Sequence, residues 1–413
     1  MKNSKNILIY LENNQKGGMD SFLITLCHGL KKSGQTVLLL VNSSHPGVEQ
    51  LKRSMADEVT LQLYHFPLSW SLGRRYLDWM PNILRRAIQL FLRFLLMPMQ
   101  FMRLLKIFKQ IECDGLLVVN GAYPGGESCR LATIAFGHLF EKDTNKFNIH
   151  SFHSFCAPTK KMFYFLDKYL DYKTERSVTS IVSVSLACAE SLRRRTVFKE
   201  TSKLSFIYNG ITPFLKTDCF KHSRLRDILD IADNPIVVCI ANYEIHKGHK
   251  FLFSAFESVL EEVKHAKLVT FGAGTKKEIK SIHNLKSKST AAEAIHIMNF
   301  DRNVRCFLEE INVLVIPSRS SEAFGLTAAE AMQQCIPVVS TDVGGLPEVI
   351  GPGGTCGYLV DKNDKQEFSR RIVDILLEKV DVKAMGISGR QRVREMFSDD
   401  KMVQSYLDLM QVS

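Results

Sequence analysis

The 413-residue chain predicts an α/β protein of two doubly wound domains. Three observations predict it. Short apolar, β-rich runs alternate with helical patterns from end to end, the signature of parallel βαβ units. The alternation stops once, at Asn209-Gly210 and Pro213 ahead of a polar, charge-mixed stretch, and then resumes. The length and the 45% hydrophobic content suffice for two cores of ordinary size.

Taken in order, strands are expected at 6–10 (NILIY), 36–41 (TVLLLV), 115–120 (GLLVVN), 146–151 (KFNIHS), 180–185 (SIVSVS) and 204–208 (LSFIY). These make a first domain over 1–213, and 214–234 reads as a linker. The second set is 236–241 (IVVCIA), 266–272 (AKLVTFG), 311–317 (INVLVIP) and 336–341 (IPVVST), within a domain over 235–395. Residues 396–413 are expected to form a C-terminal helix packing back on the first domain. Ligands of such sheets bind at the carboxyl ends of the strands, so the loops after them are where chemistry is sought.

Composition narrows the classes. The ten cysteines form no C-x-x-C pair and several lie in apolar runs, which suits reduced thiols in a cytosol. The N-terminus MKNSKNILIYLENN has too short an apolar run for a signal peptide. No uninterrupted stretch is expected to span a bilayer. The net charge is +11, and it is unevenly placed: residues 1–210 carry 28 Lys/Arg against 16 Asp/Glu, residues 211–413 carry 26 against 27. An anionic partner of the first half would explain the excess, as would a basic surface kept for solubility.

Four stretches carry chemistry. LENNQKGGMDSFLITLCHGLKKSG places Gly17-Gly18 before a helix starting near Met19, where backbone amides can approach an anion; a tight βα turn would need the same glycines. IVVCIANYEIHKGHK puts Lys247-Gly248 at a strand-to-helix loop, within reach of a phosphate or simply at the surface. FGAG supplies Gly272 and Gly274 but lacks the third glycine of a dinucleotide fingerprint. In PSRSSEAFGLTAAEAMQQ, Glu322 lies in a loop and Glu330 one turn into a helix, on either side of the amides of Phe324, Gly325 and Leu326. Carboxylates accept strong hydrogen bonds from sugar hydroxyls, and helix N-terminal amides hold phosphate, so the stretch suits a nucleotide sugar. Acids stabilising a helix N-terminus against its dipole are the bland alternative.

The two glutamates with seven residues between them, followed by IPVV (336–339) and VGGLPEVI (343–350), resemble the signature of family 4 glycosyltransferases of the GT-B fold. Gly17-Gly18, a histidine after a mid-domain strand, VSLACAESL (184–192), IYNGI (207–211), Lys247-Gly248 and FGAG fall in the same order along nearly the whole chain. The resemblance implies two Rossmann-like domains facing a cleft, an acceptor-binding first domain and a nucleotide-sugar-binding second one. It implies retention of anomeric configuration, Glu322 on the donor sugar hydroxyls, Glu330 on the ribose, and Lys247 on the diphosphate. Gly17, Gly18, Asn242, Gly272, Gly274, Ala323, Phe324, Gly325 and Leu326 would complete the donor site. Either histidine of IHSFHSFCAP matches the active-site histidine, and His153 is favoured over His150. Asn242 and Glu244 stand near where the family often has an arginine, which leaves the second cation to a residue such as Arg319, or Lys247 alone. Cys335 stands where the family usually has glycine, a change expected to touch only helix capping. No D-x-D occurs, so neither metal nor cofactor is expected.

Residues 83–108 are apolar with Arg86, Arg93, Gln100 and Arg103 recurring at steps of seven, seven and three, and Arg74, Arg75 and Lys106 nearby. A basic stripe on an apolar helix, bent at Pro98, suits the interface of an anionic bilayer or a domain surface. The expected activity is retaining transfer of a sugar to a saccharide or lipid-linked acceptor in bacterial surface polysaccharide synthesis, by a cytoplasmic protein peripheral on the inner face of the cell membrane. A nucleotide-sugar epimerase or phosphorylase of the same fold, and a catalytically silent paralogue, are the alternatives. The basic first half has no recognised nucleic-acid motif, so no nucleic-acid partner is expected.

Overall fold

The computed structural model describes residues 4–13, 17–55, 59–65, 67–77, 79–124, 126–158, 164–214, 224–300 and 304–411. Residues 14–16 of the first glycine loop and 215–223 of the expected linker lie outside the described residues, as do the side chains of Arg74 and Arg75. The chain divides into two compact units, 1–210 with 399–413, and 211–398.

The first unit holds β1 (Asn6–Glu12), β2 (Thr36–Asn42), β3 (Thr60–Tyr64), β4 (Gly115–Asn120), β5 (Phe147–Phe152), β6 (Ser180–Ser183) and β7 (Leu204–Phe206). All pair in parallel, in the order β3-β2-β1-β4-β5-β6-β7. Every residue of β4 and β5 is buried, because a central parallel strand is covered on both faces. One face is covered by the helices Gly18–Lys32, Val48–Met55 and Asp399–Leu409, whose Phe22, Leu26, Leu51 and Tyr406 join the core. The other is covered by Asn82–Lys109, Cys129–Leu139 and Tyr164–Ser177, through Leu104, Phe108, Phe136 and Leu170.

The second unit holds β8 (Ile236–Ile240), β9 (Lys267–Gly272), β10 (Ile295–Asn299), β11 (Val313–Ile316), β12 (Val338–Thr341) and β13 (Tyr358–Val360), all parallel, ordered β10-β9-β8-β11-β12-β13. Both sheets are therefore doubly wound. The strand order reverses between β1 and β4 in one and between β8 and β11 in the other.

Several expectations are corrected. β3, β10 and β13 were not foreseen, and all three are sheet edges. The segment taken as a linker contains the helix Leu225–Leu229, with Leu225 buried and the Leu225 and Arg226 amides donating to Glu310 at 2.8 and 3.2 Å. It belongs to the second unit, and the boundary falls at 210/211 rather than 213. Among the described residues eight cysteines are free thiols and Cys306 is disulfide-bonded, where reduced thiols were expected. The helix Asn82–Lys109, 28 residues with a mean hydropathy of 1.3 in its most apolar window, is long and apolar enough to cross a membrane, which the sequence reading had denied.

The same helix is also turned differently from the expected stripe. Gln100 is fully buried, donating to the Pro67 carbonyl at 3.0 Å and to Glu127 at 2.8 Å. Arg93 is partly buried, and that burial, with Arg130 nearby, pulls its pKa down. Arg86 and Arg103 stay exposed on the flanks. The outermost line is apolar: Leu84, Phe91, Leu95 and Met102.

Candidate functional site

In the second unit the loops after β8 and β11 meet at the point where the strand order reverses, the place where doubly wound sheets bind ligands. After β8 the chain turns through Ile245–Lys247 to Gly248, whose φ of +82° no β-carbon would tolerate, since one would strike the Pro317 carbonyl beyond β11. This abutment carries Lys247 onto the neighbouring loop. Its ammonium donates to the Glu322 carboxylate at 2.7 Å, and the Ser318 hydroxyl donates to the same oxygen at 3.2 Å. Both side chains of the pair are 20% exposed, so the pair is shielded yet reachable. Beneath it lies Cys239, whose thiol is pushed up to about 12 chiefly by burial.

Glu322 is held from behind. Its carbonyl accepts from the Gly345 amide at 2.8 Å, and Gly344, at φ +62°, lies flush against its backbone where a side chain would collide. Phe324 is buried edge-on to Phe397 at 5.3 Å, anchoring the loop. Gly325 then caps the helix Leu326–Gln333. Ala323 and Leu326 flank this turn and are partly buried.

The second unit also holds other expected residues of the donor site. Glu330 lies 3.9 Å from the Arg305 guanidinium, and burial raises its pKa although Arg305 opposes the rise. Arg319 does not join Lys247. Its guanidinium donates to Asn363 at 3.0 Å and covers the Phe251 ring at 4.7 Å. Asn242 is exposed in the loop after β8. Gly272 makes room for the protein itself, since a β-carbon there would strike the Ala241 carbonyl and Tyr243, whereas one at Gly274 would only be tight against Glu278 and Tyr243. His249, against Tyr243 at 5.3 Å, is kept neutral, its pKa lowered to about 4 by burial and then by Lys247.

In the first unit Gly17 and Gly18 open the helix Gly18–Lys32, and the Gly17 amide donates to Asp20 at 3.3 Å. His153 follows the carboxyl end of β5, its ring 4.0 Å from Phe22 on that helix. Ser151 bonds both His153, at 3.1 Å, and the Tyr406 hydroxyl, at 2.9 Å. Burial lowers the His153 pKa to about 3, so the ring is neutral across the physiological range. His150 is inside the sheet, bonded to Thr133 at 2.8 Å and fully buried, hence the less accessible of the two. Sequence reasoning missed Ser318, Gly344, Gly345, Arg305 and Ser151; only the glycine pair of VGGLPEVI left a local signal. Among the described residues no three His, Cys, Asp or Glu side chains gather as a metal site.

Residues 222–392 match the family model described as glycosyl transferases group 1. The N-acetyl-alpha-D-glucosaminyl L-malate synthase of Bacillus anthracis is 28% identical over 54% of this chain and 58% of its own length. A GDP-mannose-dependent alpha-(1-6)-phosphatidylinositol monomannoside mannosyltransferase of Mycolicibacterium smegmatis is 28% identical over 44% of this chain and 50% of its own. The chain thus aligns with only about half the length of these relatives. Among solved structures, a glycosyltransferase from Rickettsia africae superposes with a TM-score of 0.74 at 18% identity over 99% of this chain and 98% of that one. Anabaena Alr3699/HepE, in complex with UDP and glucose, does so with a TM-score of 0.74 at 14% identity over 98% of each. With two doubly wound sheets and the paired loops at the second switch point, the chain has two Rossmann-like domains of the GT-B type, and its segment 222–392 is similar to the glycosyl transferases of group 1.

Proposed function

We propose that the protein transfers a sugar from a nucleotide-sugar donor to a saccharide or lipid-linked acceptor, with retention and without a metal, in the building of bacterial surface polysaccharide. The Lys247–Glu322 contact at the β8/β11 switch point carries the reading. Before donor binding each charge is neutralised by the other. The donor separates them: the diphosphate takes the ammonium and the amides around Phe324 to Leu326, and the carboxylate turns to the sugar hydroxyls. Charge building on the departing diphosphate then meets a preorganised cation and helix terminus, an electrostatic route that needs no titrating side chain. His153, neutral and tied to Ser151, would act as a hydrogen-bonding group on the acceptor side, not as a charged acid.

The UDP and GDP-mannose of the similar proteins make UDP- and GDP-sugars the first donors to test, with ADP-sugars as the third set. Purified protein incubated with each set should hydrolyse or transfer from one of them. Glu322→Gln should cut that turnover by at least about 10²-fold, the scale of losing one preorganised polar contact to a reacting group. Turnover of no donor, or turnover unchanged in Glu322→Gln, would overturn the assignment.

A further inference from the structure

Two helices of the first unit leave outward faces that the transfer reaction does not use. On Asn82–Lys109 the outer line is Leu84, Phe91, Leu95 and Met102, between 48% and 67% exposed, and the helix contains no acidic residue. On Tyr164–Ser177 the outer face is an alternation of aromatic and basic side chains. Lys168 covers the ring of Tyr164, Lys173 that of Tyr169 and Arg176 that of Tyr172, at 5.8, 5.7 and 5.6 Å. Phe165 beside them is 86% exposed. The three acids of this helix turn away: Asp167 and Asp171 pair with Arg130, and Glu175 accepts from Thr201. Both helices lie in one layer on one face of the sheet, with Cys129–Leu139 packed against each, so their outer faces share a side of the unit.

We infer that this side is a docking surface for an anionic lipid bilayer, with Asn82–Lys109 lying in the interface and Tyr164–Ser177 at the headgroups. Apolar side chains on a helix flanked by cations bury into the acyl boundary, and aromatic rings with basic neighbours are suited to the headgroup level. Nucleic acid would satisfy the cations but gives no reason for four exposed aliphatic and aromatic side chains on the neighbouring helix. The helix lies on the membrane and does not cross it, because Gln100, Leu104 and Phe108 are buried in the domain core and Gln100 is bonded to Glu127. The inference is independent of the transfer reading and concerns where the protein sits.

The full chain is floated with vesicles of phosphatidylcholine alone and of phosphatidylcholine with phosphatidylglycerol, with a single-stranded oligonucleotide as rival ligand. Flotation is expected only with the anionic vesicles and is expected to weaken with salt. Phe91→Glu/Leu95→Glu should lower vesicle binding about tenfold or more with an unchanged melting temperature, since both side chains are at the surface. Lys168→Glu/Lys173→Glu should lower it on the order of tenfold and remove the preference for anionic lipid. No flotation of the wild-type chain, equal flotation of both variants, or oligonucleotide binding that displaces the vesicles would overturn the inference.

Discussion

The two switch points of the molecule hold their carboxylates in opposite ways. At the first, Glu12 ends β1 with 3% exposure and accepts from the Glu127 and Ser128 amides at 2.7 and 2.8 Å and from the Ser128 hydroxyl. Glu127, 7% exposed, accepts from the Ser69 amide and hydroxyl at 2.8 and 2.6 Å and from Gln100. The acceptor capacity there is used by the chain itself. At the second, Glu322 meets one lysine and one serine and keeps a fifth of its surface. A carboxylate saturated by its own fold is architecture, whereas one held from behind by its backbone and paired in front with a flexible cation is open to a ligand.

Four measurements would break or sharpen this contrast. The largest effect belongs to Lys247→Ala, which should reduce sugar transfer by about 10²- to 10³-fold while leaving the urea midpoint within experimental error; a comparable loss of stability instead would make the pair structural. Next is acid sensitivity. His150 and His249, both buried, are held to about 3 and about 4 against 6.5 in the unfolded chain, so the native state refuses protons that the unfolded state takes. Stability is then fully present above pH 6.5 and falls below it, by about 1.4 kcal/mol per pH unit for each histidine. Urea unfolding at stepped pH checks the slope, and His249→Gln should reduce it.

Glu12 has the opposite sign. Burial raises its folded pKa, so its contribution is present below the ordinary carboxylate range and is lost as pH rises through the window up to the raised value. Glu12→Gln, which mimics the protonated acid, should remove that part of the pH dependence without changing transfer. The smallest effect is a gain. Cys335 adopts φ +61° after the helix Leu326–Gln333, a left-handed position that suits glycine. Cys335→Gly should raise stability by up to about 1 kcal/mol, read as a higher melting temperature. It tests the expectation that this departure touches only capping.

Legibility followed burial. GLLVVN and IVVCI stood out because central parallel strands are covered on both faces and these two are almost continuously apolar. TLQLY and YLV did not, being a half-exposed edge and a three-residue one. Lys247 and Glu322 were readable because each sits beside a glycine-marked turn that the resemblance could align. Ser318 and Arg305 carry no such mark, and only folding brings them to their partners. The expected stripe of Asn82–Lys109 is only half at the surface, with Arg86 and Arg103 exposed and Gln100 buried, because periodicity reveals two faces but not which is inside. The usual rule fails where a core contains buried carboxylates, as Glu127 does opposite Gln100.

The seating of Gly248 against Pro317 has one more consequence. The two strand ends are meshed like cogs, so the backbone at Lys247 cannot shift from the loop after β11 without displacing the terminus of that strand. Lengthening the stretch 242–246 would swell an outward bulge yet leave the Lys247–Glu322 spacing unaltered, because that spacing is inherited from the distance between adjacent strands. Changes confined to this loop therefore leave the charge pair in place.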